Sequence, residues 1–488
     1  MTDKKQRTMG RMRNLPRLGV PVLACLLAPA AARAATLQVG PGKTYSKPCD
    51  AIAAAQPNDT VAIDPGTYTD TCAIKTAGLT VMGVGGRPKI DLTGGTPSGQ
   101  KGIYVIDADG VTLQNLELTG ATISSGSGEN GAGVRIEASN LTIRGCYIHD
   151  NQDGILGSPL MAGGTLLIES SEFAHNGMGS GCVDGNGCTH NLYIGANFAK
   201  VTFQYNYSHS LATDTPDKGH LFKSRAQQNF VLYNRFTGEG DTDSYEVEFP
   251  QGGLAVVVGN MIEKPPMSGN GSLVAYGLES LANADHRLFV VNNTLVNDKS
   301  GGTFFNSAAG AMVVAHNNFL IGTGTPWNGG ALSADNVTSM APMFVNQSGY
   351  DYHLQMGSPA IDKGVNPGSA DAFSLTPTEE YLHPEGHVAR LSDATIDAGA
   401  FEFGTNTMGQ GGAGSTTSAQ ATTGAGNATV GTGSGTASTG SGTGGTGPLT
   451  PLGKSGCSCT VDADESSLSW AGLGAAGLGV LAMRRRRR

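Results

Sequence analysis

Residues Gly219 to Phe236 read GHLFKSRAQQNFVLYNRF and hold the densest cationic cluster in the chain: His220, Lys223 and Arg225. Together these side chains suit the removal of a proton beside a carboxylate. One cation neutralises the carboxylate, and a lysine among other cations can act as the base because neighbouring positive charge lowers its pKa. Lys223 is then the base, with His220 or Arg225 binding the carboxylate or assisting proton transfer. Tyr193, Phe222 and Tyr245 offer aromatic faces nearby.

A second group is acidic. Glu239, Asp241, Asp243, Glu246 and Glu248 fall within ten residues. Glu246 and Glu248 alternate along an expected strand, which would turn both to one side. With Asp241 and Asp243 they form a hard-oxygen set suited to Ca²⁺. A solvated acidic loop accounts for the same residues.

These groups need a scaffold, and the second half of the opening stretch supplies its unit. An apolar residue is followed three positions later by Asn or a small residue, and often by another apolar two beyond, as in Val231, Asn234 and Phe236. The middle position recurs as Leu116, Cys146, Ser171, Asn206, Asn234, Asn260, Asn293 and Asn318, at intervals of 30, 25, 35, 28, 26, 33 and 25 residues. Apolar residues alternate within each copy, as in Leu141 and Ile143, which indicates strands. Such a unit cannot bury its own apolar face, so successive coils must stack. The repeated Asn would hydrogen-bond along the stack. His149, His175 and His209 follow their repeat positions by three, four and three residues. They should lie near one turn in consecutive coils, close to Asp150, Asp153, Asn176 and His190. Such a row could line a groove with Tyr193 and Lys223, or form a simple hydrogen-bonding ladder.

This pattern resembles the right-handed parallel β-helix of the pectate-lyase-like superfamily, an all-β solenoid. Coils are expected from about Lys101 to Ile321. Asp50 to Ala55 would form a short helix capping the open end, as terminal units must. Asp64-Pro65-Gly66-Thr67-Tyr68 resembles the turn that opens many such proteins. Cys49 and Cys72 flank that turn and are expected to pair in an exported protein. Cys146 reads as a buried small apolar residue. Cys182 and Cys188 read as a loop disulfide, with zinc beside His190 as the alternative. Lys223-Ser224 is similar to the Lys-Ser segment of the alginate lyase and chondroitinase B family. Where that family has an Arg-His pair one coil later, this chain has Tyr245-Glu246-Val247-Glu248. Simple alternation from Leu221 would turn Lys223 inward unless the strand ends there.

The ends of the chain read as addresses. Basic residues from Lys4 to Arg17 precede the apolar run Leu18 to Ala32, and Ala32-Arg33-Ala34 is a small-residue cleavage site. Residues 1–34 are therefore expected as a secretory signal, with the mature chain starting at Ala35. Residues 35–404 form the solenoid domain, closed by Gly357 to Gly364 and Asp397 to Glu402. Those segments resemble the C-terminal part of exported β-helix proteins that share interchangeable anchors. Residues 405–455 are almost wholly Gly, Ser, Thr and Ala and are expected as a disordered tether. Residues 456–488 join Cys457, an apolar run and five arginines, resembling the C-terminal sorting tail of myxobacterial surface proteins. That resemblance implies anchoring through Cys457; a permanent single-span helix is the alternative.

The whole chain of 488 residues has a formal net charge of -9, and charged residues make up 15%. Without residues 1–34 and 457–488, 19 Lys and Arg stand against 36 Asp and Glu. A body this acidic is a poor match to nucleic acid. A polyanionic ligand would need a local cationic patch or a bridging metal. The resemblance implies a monomeric, surface-tethered protein that cleaves a uronate-containing polysaccharide by β-elimination. A glycan-binding adhesin and a hydrolase or epimerase remain on the same scaffold.

Overall fold

A computed structural model describes residues 33–404 apart from 125–127, 178–189, 212–218, 240–242 and 392–394. The segment before Arg33 expected as a signal, the expected tether and tail with Cys457, and Cys182, Cys188 and Asp241 lie outside the described residues. Ala34 is exposed just ahead of the first strand, Thr36–Val39.

The chain winds repeatedly through three parallel sheets of eleven, eleven and ten strands. We name them first, second and third in the order each coil visits them. Coils begin at Thr36–Val39 and end at Val337–Ser339, so they extend beyond the expected Lys101 to Ile321 at both ends. The earlier coils carry no Asn at the repeat position, which hid them from the pattern.

Each strand alternates as its residues dictate. In Leu141–Arg144, Leu141 and Ile143 are buried while Arg144 is exposed. Inward side chains from all three sheets merge into one continuous core from Val39 to Leu320. Each large apolar side chain buried there contributes about 1.5–3 kcal/mol.

The turn from first to second sheet is tight and repeated. A residue with positive φ, such as Asn115, Ser170, Tyr205, Tyr233 or Asn292, precedes each repeat position. That position then faces inward and bonds along the stack. Asn234 accepts from the Asn206 N–H at 2.9 Å and donates through Nδ2 to Phe203 O and Asn260 Oδ1, both at 2.9 Å. The same pattern links Ser171, Asn206, Asn234, Asn260, Asn293 and Asn318, and continues to Asn336. Each amide of this ladder thereby meets a partner, which avoids the ~1–3 kcal/mol cost of an unsatisfied polar group. Gly259 (φ +69°) takes the turn before Asn260, where a Cβ would fall 2.5 Å from the Tyr233 ring.

Helix Pro48–Ala54 caps the first coil with Ala51 and Ile52, and Cys49 is disulfide-bonded to Cys72, as expected. Cys146 is buried, and burial pushes its thiol up to about 11.

Beyond the coils, residues 340–404 run back as a strap. Phe344, Tyr352, Leu354, Ala400 and Phe401 pack on Met261, Val296 and Phe319 of the second sheet's outer face. Ala370, Phe373 and Leu375 pack on Phe230, Val256 and Phe289 of the first. Hairpin Glu379–Leu382 with Gly386–Ala389 reaches the turn between these sheets, where His387 stacks on Tyr205 at 3.9 Å. The strap thus covers outer surface of the first and second sheets and leaves the third to other groups.

Candidate functional site

On the third sheet, Leu156, Tyr193, Lys223, Glu248 and Ala275 are aligned in register across successive coils. Phe222 and Val247 fill the core beside them, so Lys223 and Glu248 take the opposite, outer face. The inward expectation for Lys223 fails because Leu221 lies before the strand Phe222–Ser224, and alternation starts at Phe222. Lys223 is nonetheless fully buried.

What buries it is ionic. Lys223 Nζ lies 3.5 Å from Glu248 Oε2 and 3.3 Å from Glu279 Oε1. Arg225 grips Glu279 in bidentate fashion, with Nη2 at 2.6 Å from both oxygens and Nε at 3.1 Å. Both cations sit over the Tyr193 ring, Lys223 at 5.3 Å and Arg225 at 4.9 Å from its centroid. Tyr193 is only 2% exposed. Its face is therefore occupied by cations, not open to a sugar as expected. Phe222 lies in the core, and Tyr245 stacks on His220 at 5.0 Å, so neither presents a free face.

His190 and His220 extend this cluster along the strand starts. The His190 N–H donates to Asp153 Oδ1 at 2.9 Å, and the His220 N–H donates to His190 Nδ1 at 3.0 Å. The two Nδ1 atoms lie 2.9 Å apart. With His190 Nδ1 already accepting, His220 Nδ1 must carry the proton, which leaves the Nε2 lone pair of a neutral His220 facing Glu248 Oε2 at 3.3 Å. Burial, reinforced by Lys223, holds both imidazoles well below the usual histidine range. Burial also raises the Glu248 carboxyl despite Lys223. Neutral histidines beside a carboxyl whose hold on a proton is strengthened suit this arrangement.

The expected calcium set does not assemble on one face. Glu246 precedes the strand Val247–Phe249 and pairs with Lys264 at 2.8 Å, with Asp243 at 3.6 Å from the same ammonium. Glu248 goes to Lys223 instead. Among the described residues, no group of three or more His, Cys, Asp or Glu side chains is arranged to hold a metal ion.

His149, His175 and His209 do gather at one turn, but on the second sheet, and the geometry joins them to carboxylates, not to Lys223. His149 contacts Asp150 at 2.5 Å and Glu117 at 3.2 Å, and stacks on Tyr147. His209 contacts Glu172 at 3.0 Å and Glu239 at 3.3 Å, and stacks on Tyr207. His175 is half-exposed, 4.0 Å from Asp150. His149 and His209 are thus each held between acids and a tyrosine, while His175 stands at the edge against Asp150 and the His209 ring.

Glu279 was not legible in the sequence, because it sits in a loop outside the repeat. Lys264 left a usable signal: Ile262 points inward, so Lys264 two positions later must also point inward and needs buried acids.

Residues 89–270 match the family model described as the right handed beta helix region. With the three parallel sheets, this makes the fold a right-handed parallel β-helix. Similar solved structures include a pectate lyase, 16% identical with a TM-score of 0.48, covering 76% of this chain and 96% of that one. A pectin methylesterase from Erwinia chrysanthemi is 14% identical with a TM-score of 0.33, covering 64% and 94%. One from Aspergillus niger is 14% identical with a TM-score of 0.32, covering 63% and 91%. No curated protein matches the chain.

Proposed function

We propose that this is an exported, surface-tethered β-helix protein that binds an acidic polysaccharide on the outer face of its third sheet and cleaves it by β-elimination. The observation that carries this reading is the pairing of Lys223 and Arg225 on the one sheet the strap leaves uncovered. Desolvating two cations there is expensive, and the fold supplies cheaper apolar solutions on its other faces.

In this reading Arg225 binds the uronate carboxylate and lowers the acidity barrier at the adjacent carbon. Lys223, as the free amine, takes that carbon's proton. The electron pair forms the new carbon–carbon double bond as the glycosidic carbon–oxygen bond breaks. Glu248, carrying a proton beside neutral His220, donates it to the departing oxygen. Lys223 then returns its proton to Glu248 across their 3.5 Å contact, which restores both groups.

The test is absorbance of the unsaturated uronate product on a panel of acidic polysaccharides. Lys223→Met, which keeps the buried stem, should lower turnover by about 10²-fold or more with the β-sheet signature of the fold retained, even though loss of the buried ammonium lowers the melting temperature. Full turnover in that variant would remove the assignment. The export part is checked separately: the N-terminus of the secreted protein should read Ala35 first, and an intact leader on the surface protein would refute it.

A second reading, glycan binding without cleavage, is favoured by one feature. Lys223 Nζ is already engaged by Glu248 at 3.5 Å and Glu279 at 3.3 Å, an arrangement suited to holding charge in place. Glycan binding with no product on any polymer would select it.

A further inference from the structure

Glu279 stands apart from the rest of the third-sheet cluster. Its side chain is 19% exposed, whereas Lys223 beneath it is 0% and Arg225 8% exposed. It is also the only carboxylate, among the described residues, that both Lys223 and Arg225 contact as an ion pair. A planar fork and an ammonium converging on one carboxylate is how a protein recognises a carboxylate ligand.

The group arrives from a distance. Glu279 lies 54 residues beyond Arg225, in the loop between strands Ser272–Tyr276 and Arg287–Val291. That loop is pinned by its backbone. The N–H groups of Glu279 and Ser280 both donate to Pro250 O at 3.1 Å. Asn283 Nδ2 donates to Arg225 O at 3.3 Å and to Ala226 O and Gly252 O at 3.2 Å. The Glu279 side chain, in contrast, is held only through its carboxylate, by Arg225 and Lys223 among the described residues, and is 19% exposed. It can swing away without moving the loop.

We propose that Glu279 is a built-in stand-in for a ligand carboxylate, and that an acidic ligand binds by displacing its side chain from Arg225 and Lys223. Only the naming of that ligand as a uronate rests on the polysaccharide reading above; the carboxylate subsite does not. Internal occupation lowers apparent affinity by the fraction of open form. With the open form a minor state, removing the stand-in should tighten carboxylate binding about 10- to 1,000-fold.

The experiment compares full-length protein with Glu279→Ala and Glu279→Gln, by thermal unfolding at constant ionic strength with acetate, galacturonate or neutral galactose. Glu279→Ala should be less stable than the parent and recover with acetate and galacturonate but not galactose, while the parent stays unmoved. If Glu279→Ala does not fold, Glu279→Gln carries the same comparison. A variant indifferent to acetate, or a parent that responds equally, overturns the proposal. A second arm measures polygalacturonate binding. Acetate recovery without polymer binding keeps the subsite and removes the polysaccharide reading. Polymer binding equal in parent and variant overturns the stand-in and leaves that reading intact.

Discussion

Across the second sheet the aligned outer residues run Tyr207, Arg235, Met261, Thr294 and Phe319; across the third they run Tyr193, Lys223, Glu248, Ala275 and Asn306. Both rows begin with a tyrosine under a cation, Arg235 over Tyr207 at 5.3 Å and Lys223 over Tyr193 at the same distance. They are then covered differently. The strap lays Phe344, Tyr352 and Phe401 on the second sheet and buries its outer surface by apolar contact. Among the described residues, the loop that carries Glu279 meets the third-sheet cations, and it does so by ion pairs. Apolar cover is self-sufficient once packed. Ionic cover depends on each partner staying in place, which makes it the face where a competing charged ligand can intervene.

The sharpest challenge to this contrast is Arg390→Ala. Arg390 holds the strap's end closed, with Nη2 at 2.8 Å from Glu402, both side chains being 3% exposed. It also donates to the Gly399 and Asp397 carbonyls. Truncation would leave Glu402 buried without its cation, at a cost of about 3–5 kcal/mol in chemical denaturation. A loss similar to that of an exposed pair would mean that the apolar contacts alone secure the strap.

The Glu279 variants come next in size, because that carboxylate borders solvent and water can replace part of its role.

The smallest effect concerns Glu385, at the tip of the hairpin over the second sheet. Arg87 lies 2.8 Å from it, yet burial outweighs that contact and, with Glu172 nearby, raises the carboxyl to about 7. The folded protein then holds a proton that the unfolded chain, with the ordinary glutamate value of 4.5, has already lost. The stabilisation is fully present below that unfolded value and is lost as pH rises through about 7, amounting to at most ~3 kcal/mol. Glu385→Gln should flatten part of this decline, with Glu263, also raised to about 7, keeping the rest. Unfolding midpoints across the range would show an unchanged slope if strap docking is insensitive to this proton.

Much of the scaffold could be read from residue spacing. The Asn positions from Asn206 to Asn318 became the bonded ladder, Cys49 and Cys72 paired, and the short helix capped the first coil. A second buried ladder, Asn151 to Asn176 to Asn191, escaped notice because its spacings of 25 and 15 residues follow no period. The site was legible only in its cations. His220, Lys223 and Arg225 were found because they are neighbours in sequence, whereas Glu279 was missed because it reaches them across two coils.

The sequence by itself determined the coil. Alternating apolar residues and a recurrent amide are local demands, met by any neighbour that repeats them, so they can be read one copy at a time. Only the tertiary structure decided what each charged residue does. It sent Glu246 to Lys264 and Glu248 to Lys223, placed the His149 and His209 ladder on a different sheet from Lys223, and brought Glu279 to Arg225. The physical reason is that a buried charge is stable only beside its partner. In a solenoid that partner stands one or two coils away, at a separation set by loop lengths that the repeat does not encode.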